Sequence, residues 1–271
     1  MIKKRVSIIY VLLFILNGFA QENSFNEQDF FRKINESYYT LKSSGYKNMS
    51  AFISSLKFEK FAQEVWKNKE VFPLQLMWFR PKKLYLSERG VPSFDKSKQK
   101  EYRDLVEGLK QQLKGILVDL SMYYITGLYN SIPDNYTLRH NEQAVQITYE
   151  TGKGPDLTKT KHLFGYNGLL LETQVIYPAQ NKIILVFPAF RLVKTKWLID
   201  GWQVQTSING EIVNGFEIKL ESALINNIWV PVNIIISVKK AEDPENTYYD
   251  MLKLRNVLFN QSLELVPSNN Y

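Results

Sequence analysis

Apolar positions change their spacing three times along the chain, and each change marks an element. Phe30, Ile34, Tyr38 and Leu41 recur at three- and four-residue steps behind Ser24-Phe25-Asn26-Glu27, which has the S-x-x-E spacing of a capping box, and Gly45 supplies a stop. That spacing predicts an amphipathic helix over 25–44. The period then falls to two: Phe52, Leu56 and Phe58 share one parity within Met49 to Glu64, and Val71 to Glu88 is a second extended stretch with Pro81 in its middle. Both predict strands, the proline marking an edge or a bulge. From Lys98 to Asn130 the helical steps return in Leu105, Leu109, Leu113, Ile116, Leu117, Leu120 and Tyr124, with Gly108 and Gly115 as weak points.

Between Tyr136 and Phe259 short alternating segments are separated by turn signals, at 152–155, Asn167-Gly168, Gln180-Asn181, Asp200-Gly201, Asn209-Gly210 and Asn226-Asn227. This is the pattern of an antiparallel meander. Leu169, Leu171, Val175 and Tyr177 oppose Glu172 and Gln174, while Phe216, Ile218 and Leu220 oppose Glu217, Lys219 and Glu221. Ile228, Val230, Val232, Ile234, Ile236 and Val238 form a third row. The expected fold is α+β: one strongly curved antiparallel sheet of about ten strands, an incomplete barrel, with helices lidding its apolar concave face. No linker or repeat divides it, so residues 21–271 are expected to form a single domain.

Composition places the chain among ordinary globular proteins, with 45% hydrophobic and 23% charged residues in 271. Its one long apolar run, Val6 to Ala20 behind Lys3, Lys4 and Arg5, is short for a membrane span and has the flanks of a signal peptide, with Gly18 and Ala20 before the cleavage point. Loss of residues 1–20 removes those three cations and no acid, lowering the net charge from +7 to +4. The remaining Lys and Arg are scattered among acids, so no nucleic-acid footprint is expected. There is no cysteine, hence neither a disulfide nor a lipidation site, and the expectation is a soluble periplasmic monomer.

Chemical motifs are sparse. His140 and His162 are the only histidines and read as surface or turn residues, so no metal site is expected. Gly152 and Gly154 read as a loop, and Asp134 and Glu150 are not placed together by any pattern. No nucleophile elbow, Walker loop or dinucleotide fingerprint is present, which argues against an enzyme and against a cofactor.

The distinctive stretch is Leu74-Gln75-Leu76-Met77-Trp78-Phe79-Arg80-Pro81, followed by Leu84-Tyr85-Leu86. Strand parity aims Arg80 to the side of Leu74, Leu76 and Trp78, where a charge is costly unless paired. A kink at Pro81 would instead swing it to the rim. With the leading helix, the strand near Met49-Ser50-Ala51-Phe52 and the late Ile228-Trp229-Val230-Pro231, this stretch resembles the LolA-type periplasmic carriers of outer-membrane lipoproteins over about residues 25–90 and 135–260. The helical segment 93–133 departs from that family's pattern.

The resemblance implies an apolar cavity for the acyl chains of lipoproteins or lipids, donor and acceptor proteins in the envelope, and a lid held closed by the arginine matched here by Arg80. The expected cavity wall is Leu74, Leu76, Trp78, Arg80, Leu84, Leu86, Leu169, Leu171, Val175, Phe216, Ile218, Val232 and Ile234. The alternative is a structural or adaptor protein of the envelope whose helices fill the concavity permanently.

Overall fold

A computed structural model describes residues 25–81, 83–240 and 243–260, so the expected signal peptide, residues 1–20, and Ser24 lie outside the described residues. Helix α1 (Glu27–Ser37) is capped by Asn26, whose side chain accepts from the Asp29 backbone N–H at 3.0 Å. It is shorter than the predicted 25–44. Tyr38 leaves the helix in extended geometry and bridges to Trp197, while its buried hydroxyl donates to the Gly168 carbonyl and accepts from the Leu170 N–H. Tyr38 and Leu41 thus reach the core from an extended segment that mimics helical spacing.

The predicted strand Met49–Glu64 ends early, as β1 (Asn48–Ser55). The Ser55 hydroxyl accepts from the Phe58 N–H and starts α2 (Leu56–Trp66), which buries Phe58, Phe61 and Ala62 and is tied to the sheet by a 2.7 Å Glu59–Lys253 ion pair. Val71 to Glu88 contains two strands, β2 (Leu74–Phe79) and β3 (Lys83–Glu88), with Arg80 and Pro81 in the turn between them, joined by a cis peptide bond. Pro81 therefore marks a hairpin turn into β3, an edge strand of the sheet, and not a bulge.

Helix α3 (Gln99–Leu120) carries the predicted stripe, with Leu109, Leu113, Ile116, Leu117 and Leu120 buried together with Tyr102 and Val106. It stops ten residues before Asn130, passing into a π-helical turn, Ser121–Ile125, whose end is fixed by the Thr126 N–H and hydroxyl on the Ser121 carbonyl. A 3-10 turn, Leu128–Ser131, follows.

The remaining strands are β4 (Thr137–His140), β5 (Ala144–Thr151), β6 (Thr158–Gly165), β7 (Leu170–Tyr177), β8 (Lys182–Val193), β9 (Lys196–Ile208), β10 (Glu211–Ile225), β11 (Ile228–Lys240) and β12 (Asp243–Phe259). Each pairs antiparallel with the next, and β12 pairs with β1, so the order is β3-β2-β1-β12-β11-β10-β9-β8-β7-β6-β5-β4. The sheet has twelve strands rather than about ten and does not close. Two turns match their sequence signals closely: Asn209-Gly210 and Asn226-Asn227 have positive φ at both positions, the requirement of the two-residue hairpin turn that suits strand twist. Asp200-Gly201 is not a turn. It lies within β9 at a bulge opposite Ala189 and Phe190, and the chain reverses instead at Lys194.

One core joins the helices to the concave face. Tyr102 lies against Phe58 and Phe94, Gln112 bonds to Asp250 on β12, and Tyr123 stacks near Trp202 on β9, so α3 and the π turn run across the concavity.

The bulge at Gly201 requires glycine twice over, through a φ of +156° and through a Cβ position only 2.1 Å from the Ile218 carbonyl oxygen. Gly201→Ala is expected to cost about 2–4 kcal/mol in urea unfolding. Gly210→Ala, in open space, should cost about 1 kcal/mol. Equal losses would show that the β9–β10 contact relaxes to admit a methyl group.

Candidate functional site

The residues expected at the cavity wall differ in burial, and Leu84, Leu86 and Phe216 are among the partly buried ones packed against the core. Leu74, Leu76, Trp78, Ile218 and Ile234 are buried, and Leu84, Leu86, Leu169, Val175, Phe216 and Val232 are partly buried. Two expectations fail. Leu171 is 44% exposed, because a bulge opposite Leu163 and Phe164 shifts the phase and puts Leu170 inside in its place. Arg80 is exposed, since the turn at Pro81 carries it past the end of the strand.

Arg80 is nevertheless connected to the cover of the concavity. Its Nη2 donates to the Lys42 carbonyl at 2.7 Å, and the same segment donates from the Leu41 and Lys42 N–H groups to the carbonyls of Tyr124 and Ile125 at the end of the π turn. Tyr124 is itself fully sequestered and donates from its hydroxyl to the Trp229 carbonyl on β11 at 2.8 Å. Along α3 the polar attachments are few: Gln112 to Asp250 and Tyr248, Lys110 to Glu88, and Lys98 to Glu64. Asp250 is 1% exposed and forms no ion pair among the described residues; Gln112, Tyr248 and the Met251 N–H donate to it instead.

A buried polar group on β5, β6 and β7 completes the face. His162 is 1% exposed, with Nδ1 2.8 Å from Thr173 Oγ1 and Nε2 3.0 Å from the Tyr149 hydroxyl. It is neither a surface nor a turn residue. Burial lowers its pKa from 6.5 to about 4, so the imidazole is neutral inside the folded protein. The signal for its position was present in Thr160-Lys161-His162-Leu163-Phe164, where Thr160, His162 and Phe164 share the inner parity. His140, by contrast, is exposed at the end of β4 and stacks on Phe25.

Asp119, in the last turn of α3, is pushed up to about 6 by burial. Near it the Tyr123 hydroxyl and Trp202 Nε1 are buried without a well-aligned hydrogen bond. Among the described residues no three His, Cys, Asp or Glu side chains gather as a metal-ligand set. The arrangement is suited to holding an apolar chain against a wall with a few internal polar points, and its cover, α3, is a helix with two exposed glycines, Gly108 and Gly115, each weakening it by about 1 kcal/mol relative to alanine.

His162 and Asp119 give stability opposite dependences on pH. The unfolded chain protonates its histidine below 6.5 while the folded one resists until about 4, so this term is fully present above 6.5 and about 3 kcal/mol is lost as pH falls through that interval. Folded Asp119 takes up its proton near 6, before an unfolded aspartate would, so its burial cost is present above 6 and is relieved toward pH 4. His162→Gln should therefore flatten the acid-side decline in unfolding free energy, and Asp119→Asn should add about 2–3 kcal/mol at pH 7.5, a gain that vanishes near pH 4. Parallel curves for the parent and both variants would contradict these assignments.

Compared with known proteins, the chain matches no family model, no curated protein and no solved structure.

Proposed function

We propose that the protein is a periplasmic carrier that takes the acyl chains of lipoproteins or lipids onto its concave face and passes them toward the outer membrane. The observation that carries the reading is the cover itself. A single helix and its π turn lie across an apolar, unclosed sheet, with few polar attachments and with a carboxylate, Asp119, buried at the contact. A carboxylate pushed toward protonation by burial costs free energy at neutral pH, which is out of keeping with a contact optimised only for permanence. Single-turn π segments also recur at functional positions in helices.

Acyl chains and the α3 stripe compete for the same surface. Each buried methylene contributes about 0.8 kcal/mol, so a chain of a dozen carbons has on the order of several kcal/mol available without a specific contact. Cargo shifts the cover outward by differential affinity for the open and closed states, and closure returns it at release. Arg80 fits the latch implied by the resemblance through its hold on the Lys42 carbonyl, one peptide from the end of the π turn. The second reading, an adaptor with a permanently filled concavity, is favoured by the complete burial of Leu113 and Leu120.

The absence of cysteine allows a direct test. Introducing Lys110→Cys and Glu88→Cys, where α3 reaches β3, and bridging them with a short bis-maleimide should abolish uptake of a fluorescent fatty acid. The unbridged double variant should bind it. Binding unaffected by the bridge would remove α3 from the role of lid, and binding by neither form, with no lipid in an organic extract of the purified protein, would favour the adaptor.

A further inference from the structure

Where the π turn ends, four separated stretches of chain enclose a pocket of about 580 Å³: the end of α1 with the segment after it, the β2–β3 turn, the start of β9, and the turn after Thr126. Its charged lining is three cations, Lys42, Arg80 and Lys196, against one carboxylate, Glu36. None of the three cations forms an ion pair with a described carboxylate. Lys42 Nζ donates to the Asn130 side-chain oxygen and Arg80 uses Nη2 on the Lys42 carbonyl, which leaves further donors on both groups. Three cations lining one concavity give it a positive potential that favours an anion there.

The wall opposite the cations is apolar and continuous with the interior. Ile34, Tyr38 and Leu128 line the pocket and also belong to the core beneath α3. Displacement of the π turn, whose carbonyls are held by Leu41 and Lys42, would join the pocket to the concave face. A ligand spanning both would be anionic at one end and apolar along the rest. A fork of guanidinium donors beside two ammonium groups suits an oxyanion with several acceptor oxygens, and the volume lies within the range of small-molecule sites.

We propose that this pocket receives the phosphate of an anionic lipid whose acyl chain lies on the concave face, so that Lys42, Arg80 and Lys196 select cargo by headgroup charge. The proposal rests on the carrier reading and narrows its substrate class.

The test uses the full mature chain and three probes: a fluorescent phosphatidic acid, a diacylglycerol carrying the same chains and fluorophore, and inorganic phosphate. Phosphatidic acid should bind about tenfold or more tighter than diacylglycerol at low salt, with the preference shrinking as ionic strength rises. Lys42→Gln with Lys196→Gln should bring the two lipids to within about threefold, while Lys194→Gln, an exposed cation outside the pocket, should leave the preference intact. Equal binding of both lipids by the parent protein would overturn the headgroup site and leave the carrier reading standing. Binding of inorganic phosphate as tight as that of phosphatidic acid would identify a site for a free anion and overturn the lipid assignment. Binding of neither lipid would overturn both readings.

Discussion

Burial of the α3 stripe against the concave face is the contact on which the rest of the molecule depends. A curved antiparallel sheet with one apolar face cannot leave that face to water, and this sheet does not close on itself to hide it. A helix of 22 residues is about 33 Å long, the width of about seven strands, so α3 is the one element of the right size. The arrangement of the smaller parts follows from it. Helix α2 flanks its first turns through Phe58 and Tyr102, the segment after α1 secures its end through Leu41 and Lys42, and the π turn adjusts its last residues so that Tyr123, Tyr124 and Ile125 all point inward.

Polar groups at this contact set its strength as much as apolar area does. Asp250 is satisfied by neutral partners, His162 is held neutral between Tyr149 and Thr173, and Asp119 is driven toward protonation. Each of these buried polar groups is met by a hydrogen-bond partner or relieved of its charge, which lowers the cost of keeping it on an apolar face. The cationic residues Lys42, Arg80 and Lys196 sit at the rim, where water still screens them. Depth therefore sorts chemistry on this face, from aliphatic and aromatic groups through neutral polar pairs to charge.

Legibility from sequence followed the range of the interaction that decides each feature. Asn209-Gly210 and Asn226-Asn227 carry their turn geometry in two residues, and the stripe of α3 repeats often enough to survive any local exception. Strand parity was less secure, because one extra residue reverses it: the bulge before Leu171 turned that side chain outward, and the bulge at Gly201 disguised mid-strand backbone as a turn. Helix α2 escaped because Leu56 and Phe58 keep the parity of Phe52 while also fitting the first turn of a helix, and only the Ser55 cap separates the two. Arg80 followed the parity of its strand on paper, but the chain had already entered the turn. The inner parity of Thr160, His162 and Phe164 was there to be read, whereas the cationic pocket assembled from four distant stretches depends on neighbours that no local window contains.

The pairing of β1 with β12 sets Met49 opposite Phe259, so the first strand of the chain is completed by the last. In a protein that emerges amino end first, β2 and β3 meet β1 at once, but the other edge of β1 stays unpaired until the whole meander has been made. Loop-closure entropy is spent before that pairing returns anything, which places this fold among the slow ones. Every other strand pair in the sheet joins neighbours close in the chain; that one edge must wait, and it is the place where a second chain could add a strand before β12 arrives.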